Sequence, residues 1–246
     1  MSHLSSLWST AFLIADATRA AMLAALMDGR ALPAGELARA AGITAQTASS
    51  HLAKLLEGGL VSVEAQGRHR YYRLAGGHVA QAIESLAAIR PRPPAPPRAL
   101  GPEQRRLCWC RSCYDHLAGR VGVAITRALL EQGCIEEAPD KRYVVMPAGA
   151  SWFERIGLDT AAIAPTRRGL ARQCLDWTER AHHLAGPLGT RLMAALCERD
   201  WLRRSPASRV VTVTPKGWIE LERSLGLTEA AIGQVPQARP LHRYAA

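Results

Sequence analysis

Apolar positions in the first ninety residues recur at helical spacing and then give way to β-prone runs. Leu7, Phe12, Leu13, Met22, Leu23 and Leu26 mark a helix over Leu4–Met27, stopped by Gly29. A short helix over Pro33–Ala41 turns Leu37 inward, and Gly42-Ile43 form a tight turn. Thr44 is an N-cap candidate for a helix over Ala45–Leu56 with Ala48, Leu52 and Leu55 on its inner face. Gly58-Gly59 end that helix. Val61–Glu64 and His69–Leu74 read as strands joined by Gln66-Gly67-Arg68, and Val79–Ile89 as a last helix.

The pattern breaks at Arg90–Pro102, RPRPPAPPRALGP, whose six prolines favour a stiff extended spacer. Beyond it, one pattern occurs twice. Arg111-Ser-Cys113-Tyr-Asp115 corresponds to Arg172-Gln-Cys174-Leu-Asp176. His116-Leu-Ala-Gly119 corresponds to His183-Leu-Ala-Gly186 after a six-residue insertion. The apolar runs 121–135 and 188–202 match, and each copy continues through a β run into a Gly-containing helix start. The expected organisation is therefore residues 1–90 as one domain, 91–103 as linker, 104–233 as a duplicated domain (repeats about 104–160 and 166–230) and 234–246 as a loose tail. The fold class is mainly α with small β hairpins: an N-terminal winged helix-turn-helix, then two tandem wing-like α/β-hairpin repeats. Two similar units tend to pack about a local two-fold axis. A cleft between them would be lined by Cys113, Asp115, His116, Cys174, Asp176 and His183, the candidate effector site.

Short helix, glycine turn, capped helix and hairpin form the winged helix-turn-helix plan. A helix that enters a major groove needs a slim polar outer face. Gln46, Thr47, Ser49 and Ser50 supply it, with Lys54 further along and His51 divided between packing and a phosphate contact. Gln reads adenine bidentately, Ser and Thr serve either bases or phosphates, and the helix N-terminus itself favours a phosphate. Arg68 and Arg70 flank the hairpin turn, within reach of the adjacent minor groove or its phosphates.

Asp16-Ala17-Thr18-Arg19, the turn at Glu36–Ile43, the helix motif at Thr47–Leu55 and GR-x-R-YYRL at Gly67–Leu74 together resemble the ArsR/SmtB-type winged-helix repressors of bacteria. The resemblance covers about the first ninety residues, and CYDHLAG and CLDWTER…HLAG look like a long-chain branch of the same family. It implies a homodimer built on Leu4–Met27 and Val79–Ile89, a near-palindromic double-stranded DNA operator, and an effector that releases the DNA. Two features of family metal sensors are missing here: a Cys-x-Cys pair before the recognition helix, and Asp/His ligands along the last helix, where this chain has only His78 and Glu84.

Chemistry in the second half centres on cysteine. Cys108, Cys110 and Cys113 fall within six positions; on a helix, Cys110, Cys113 and His116 would be neighbours on one face, a candidate site for a soft metal or metalloid. Two close thiols also suit redox sensing, and cysteines pack well as small hydrophobes. Five tryptophans (Trp109, Trp152, Trp177, Trp201 and Trp218) add bulk for a core or for the wall of a pocket taking a small organic effector.

Composition narrows the classes. Of 246 residues, 48% are hydrophobic, which excludes wholesale disorder. No apolar run is long enough for a membrane span, and the N-terminus lacks a basic start and carries Asp16, so a cytoplasmic protein without a secretory leader is expected. The net charge of +10, nearly all from Arg, suits nucleic acid. Three classes compete: an effector-controlled DNA-binding regulator, a thiol-dependent enzyme using a Cys/His/Asp set, and a constitutive architectural DNA-binder. No phosphate loop, dinucleotide glycine motif, serine elbow or zinc-peptidase motif favours the enzyme. The duplicated half favours the regulator over the architectural protein.

Overall fold

The computed structural model describes residues 3–66, 69–89, 101–206 and 208–234. Most of the proline-rich spacer, the tail from residue 235 and the hairpin tip at Gly67-Arg68 lie outside them. The chain divides into two compact units, Met1–Ala82 and Ile83–Ala246.

Unit 1 opens with α1 (His3–Ala15) and α2 (Ala17–Ala25), not with the single helix expected over Leu4–Met27. The break lies at Asp16, which leaves helical geometry and accepts the Arg19 backbone N–H at 2.9 Å as N-cap of α2. Arg19 is itself buried; its guanidinium donates to the Leu13 and Phe12 carbonyls at 2.7 and 2.8 Å, satisfying the open C-terminal end of α1. Apolar periodicity passes straight through such a junction, because only the cap chemistry marks it.

β1 (Leu32–Pro33), α3 (Ala34–Ala40), α4 (Ala45–Glu57), β2 (Val61–Gln66) and β3 (His69–Leu74) follow, and then α5 (Gly77–Ile89), whose first six residues belong to unit 1. Gly42, at φ +66°, turns the chain between α3 and α4, where a side chain would be strained. The sheet runs β1-β3-β2, antiparallel, with Val61 opposite Leu74 and Gln66 opposite His69. Met22, Leu23, Leu37, Ala48, Leu52, Leu55, Tyr72 and Leu74 form the buried interior, and the neighbouring Tyr71 is only half-buried. Among the described residues, the helices and strands of a winged helix-turn-helix are all present around this interior.

Unit 2 carries the duplication. Copy one runs from α6 (Pro102–Trp109) through β4 (Arg111–Cys113), β5 (His116–Ala118), α7 (Gly119–Glu131), β6 (Ile135–Ala138) and β7 (Arg142–Val145) to α8 (Pro147–Arg155). Copy two runs through β8 (Ala171–Leu175), β9 (His182–Ala185), α9 (Gly186–Glu198), β10 (Leu202–Arg204) and β11 (Val211–Val213) to α10 (Pro215–Leu225), with α11 (Glu229–Gln234) appended. The copies exchange strands. The opening hairpin β8–β9 joins the wing β6–β7 in one four-stranded antiparallel sheet. Reciprocally, β4 meets the other wing: Ser112 N–H donates to the Arg209 carbonyl at 2.9 Å and Val211 N–H to the Cys110 carbonyl at 3.0 Å. α7 packs on β9 and α9 on β5, so each helix covers the other copy's hairpin. Trp152, Phe153, Val121, Leu129, Leu188, Leu196 and Trp201 lie in the shared interior.

Candidate functional site

In unit 1 the outer face of α4 is built from its first turn. The Thr44 hydroxyl accepts the Thr47 N–H at 3.2 Å and lies 2.9 Å from the Thr47 hydroxyl, fixing the helix start. Gln46, Thr47, Ser49, Ser50 and Lys54 are all exposed. Ser49 and Ser50 donate to the Ala45 and Thr47 carbonyls at 3.1 and 2.8 Å, which leaves hydroxyl lone pairs directed outward as acceptors. His51 departs from this face. Its side chain is 17% exposed and its Nδ1 lies 3.6 Å from the Asp16 carboxylate, so it turns toward the α1–α2 junction. On β3, Arg70 is exposed, while Arg73 pairs with Glu64 across the hairpin. Arg68 lies outside the described residues.

In unit 2 the cysteine-rich segment is not a helix. α6 ends at Trp109, Cys110 is extended (φ −153°, ψ 125°), and β4 begins at Arg111. A strand alternates sides every residue, so the face expected to hold Cys110, Cys113 and His116 does not form. Cys110 packs in the main hydrophobic interior, where burial pushes its thiol far up. Cys108 is half-buried, and burial raises its thiol as well. All six cysteines are free thiols.

Cys113 instead meets the other copy. A two-residue turn, with Tyr114 held at φ 59°, sets Cys113 opposite His116 on β4–β5. Cys174 is opposite His183 on β8–β9 in the same way. The two Cys–His pairs converge: Sγ to Sγ is 3.9 Å, Nε2 to Nε2 is 3.2 Å, and the four donor atoms lie within 4.8 Å of one another. All four residues are buried, His183 completely. The hydrogen bond to Cys174, followed by burial, pushes the Cys113 thiol up to about 12.

Two carboxylates stand behind the imidazoles. Asp115 Oδ1 is 2.9 Å from His116 Nδ1, and Asp176 Oδ2 is 3.7 Å from His183 Nδ1. Asp176 also pairs with Arg111 at 2.9 Å, both fully buried, and accepts from Gly119 N–H and the Thr178 hydroxyl at 2.7 Å each. Burial alone would raise its carboxyl. The Arg111 charge, then His183, then bonds from Thr178 and the Glu179 backbone outweigh this and hold it well below the ordinary carboxylate range. Arg111 in turn stacks on Trp177 at 4.9 Å.

The six residues expected to line a cleft therefore form a closed centre, open only at Asp115. Strand exchange brings the two hairpins into direct contact and leaves no gap between them. One cleft in unit 2, of about 270 Å³, is lined by Arg120, Arg127, Glu137, Tyr143, Glu179 and His182 among others. Trp109 and Trp218, with rings 6.3 Å apart, wall a shallower hollow, while Trp152 and Trp201 are core. Sequence reasoning missed the roles of Arg111 and Thr178 around Asp176, and of Thr126, whose hydroxyl accepts Leu184 N–H at 2.8 Å. The Arg111 that matches Arg172 in the repeat was the one available signal.

A helix-turn-helix domain model matches residues 14–64. An uncharacterized HTH-type transcriptional regulator, YdfF of Bacillus subtilis, is 45% identical over 215 residues, spanning 87% of this chain and 95% of its own length. The HTH-type transcriptional regulator CmtR of Mycobacterium tuberculosis is 41% identical over 76 residues, 31% of this chain and 64% of CmtR. Among solved structures, the homodimeric winged helix-turn-helix DNA-binding domain of an M. bovis protein is 29% identical, covering 35% of this chain and 79% of that one with a TM-score of 0.33. Among the described residues no helix is long and apolar enough to cross a membrane. Similarity to YdfF across nearly its whole length, with the winged helix-turn-helix described above, places the chain in the family of HTH-type transcriptional regulators, and the motifs of its first ninety residues resemble the ArsR/SmtB type.

Proposed function

We propose that the protein is a cytoplasmic, homodimeric repressor that binds a near-palindromic operator and releases it when unit 2 takes an effector. The observation that carries this reading is the capped α4 helix with its continuous exposed row of Gln46, Thr47, Ser49 and Ser50. Its slim, uncharged surface suits a major-groove wall, where Gln46 offers a bidentate amide and the serines adapt to bases or phosphates. Lys54, Arg70 and Arg68 add sequence-blind attraction to phosphate, so affinity falls steeply with salt.

Exposed apolar side chains support self-association. Leu7, Trp8 and Phe12 are 59–74% exposed on α1, and Leu86 and Ile89 are exposed on α5. These are the helices for which the family resemblance implies a dimer. The effector module is unit 2, which contains both a cleft suited to a small organic molecule and the buried Cys–His centre. A thiol enzyme is disfavoured because Cys113 and Cys174, 1% and 6% exposed, give a substrate no access.

Gel shifts with the chain's own promoter test the reading. Gln46→Ala and Ser49→Ala are expected to weaken specific binding by about 1–3 kcal/mol each. Arg68→Ala should weaken specific and nonspecific binding alike and flatten the salt dependence. Unchanged affinity in all three variants would remove α4 and the hairpin as the DNA-binding surface.

A further inference from the structure

We propose that unit 2 holds one thiophilic divalent cation of the zinc class in a tetrahedral site made by Cys113, His116, Cys174 and His183. This deepens the reading of unit 2 as the ligand module, but metal binding itself stands or falls separately from DNA binding.

The donor spacing carries the inference. A tetrahedral zinc site has metal–sulfur distances of about 2.3 Å and metal–nitrogen distances of about 2.0–2.1 Å. Simple trigonometry then puts its two sulfurs about 3.8 Å apart and its two nitrogens about 3.4 Å apart. The observed Sγ–Sγ separation is 3.9 Å and the Nε2–Nε2 separation 3.2 Å. Each distance alone also fits a thiol contact or an imidazole hydrogen bond; what points to a metal is that both pairs gather in one buried place, with all four donor atoms within 4.8 Å of one another. A set of two sulfur and two nitrogen donors selects zinc-like ions over hard, oxygen-seeking cations.

Tautomer chemistry points the same way. Asp115 lies 2.9 Å from His116 Nδ1, and the buried Asp176 flanks His183 Nδ1. At His116 the Asp115 carboxylate is within hydrogen-bond distance of Nδ1 and favours Nε2 as the ligating atom, the arrangement seen behind metal-bound histidines; Asp176, at 3.7 Å, lies on the same side of His183 without bonding it. Without a metal the two Nε2 atoms, 3.2 Å apart, share one hydrogen bond in a buried place; a cation between them replaces that single bond with a ligand bond to each ring. Binding balances as two thiols and two neutral imidazoles taking one M²⁺ and releasing two protons, which leaves the four-ligand centre neutral. Four protein ligands leave no open position, so the ion fastens the two hairpins together and catalyses nothing.

The symmetry of the centre is a separate argument. Each copy contributes one Cys, one His and one Asp from equivalent positions, and the Cys–His pairs are directly cross-strand in both hairpins. A duplicated single-copy unit carries only half of a site; two copies packed hairpin to hairpin make a whole one.

The test uses the full-length chain, purified with reductant. Plasma mass spectrometry should find one zinc per chain. After chelation, added Co²⁺ should give sulfur-to-cobalt charge transfer and the strong visible bands of tetrahedral cobalt. A Cys113→Ser, Cys174→Ser double variant should lose both signals, while a Cys108→Ser, Cys197→Ser double variant keeps them. If the first variant does not fold, the wild-type cobalt spectrum decides alone. Reduced wild-type protein that takes no Co²⁺ in a sulfur-containing tetrahedral site overturns the proposal. So does metal retained at full stoichiometry by a folded Cys113→Ser, Cys174→Ser variant, or a metal-free Cys113–Cys174 disulfide as the native form. Gel shifts on the same samples separate the two readings: metal without operator binding sinks only the repressor, and operator binding without metal sinks only the site.

Discussion

Arg111 and Asp176 carry opposite charges to a place that water does not reach, 65 residues apart in the chain. Removing one partner of such a pair strands the other. Asp176→Asn is therefore expected to destabilise unit 2 by about 3–5 kcal/mol in urea denaturation. The exposed Asp140, which only touches Arg142 at 3.4 Å, should change stability by less than about 0.5 kcal/mol when replaced by Asn. Equal effects would mean that the buried pair is not the anchor the geometry suggests. Asp176 was legible as a candidate because the Cys-x-Asp pattern repeats. Its dependence on Arg111 and Thr178 was not, since no local pattern states which distant charge a buried carboxylate will meet.

Among the elements, those with their own local chemistry were the most legible. Thr44 was readable as an N-cap, and the cap forms; Thr44→Ala should cost about 1 kcal/mol and loosen the start of α4, which denaturation and a weaker gel shift would both register. The helix starts of the two copies are held by a subtler device. A Cβ added to Gly149 would lie 1.9 Å from the Cys134 carbonyl oxygen, and one added to Gly217 2.1 Å from that of Trp201. Backbone must move in both cases, so Gly149→Ala and Gly217→Ala should each destabilise by about 1–3 kcal/mol. Gly35→Ala in α3 meets nothing and should be neutral or stabilising, which a thermal melt of the three variants compares directly. Two elements defeated pattern reading. The α1–α2 break is a cap inside an unbroken apolar stripe. β4 is a three-residue strand whose extended form is imposed by β5 and by the Arg209–Val211 segment, and its own residues would have fitted a helix.

For the whole molecule, the proposed assembly makes its own demand. If α1 contributes to a dimer, placing a charge at Phe12 should dissociate it. Phe12→Glu is expected to sediment as a monomer and, with one recognition helix in place of two, to lose operator affinity by roughly 100-fold or more. A Phe12→Glu protein that remains dimeric would shift the interface elsewhere. The excess of Arg adds attraction to phosphate without deciding where the DNA lies.

The sequence by itself determined what depends on neighbours along the chain. Helical periodicity, the Thr44 cap, the Gly42 turn and the cross-hairpin alternation specified the winged helix-turn-helix, because those forces act over a few residues. The internal repeat likewise announced two equivalent units, since alignment needs no coordinates. Only the tertiary structure decided which faces meet. Strand exchange between the copies put Cys113 beside Cys174 and His116 beside His183, buried Cys110 away from them, and closed the cleft that tandem copies alone would suggest. Hydrogen-bond ladders and burial between segments some sixty residues apart govern those outcomes, and no local signal encodes them.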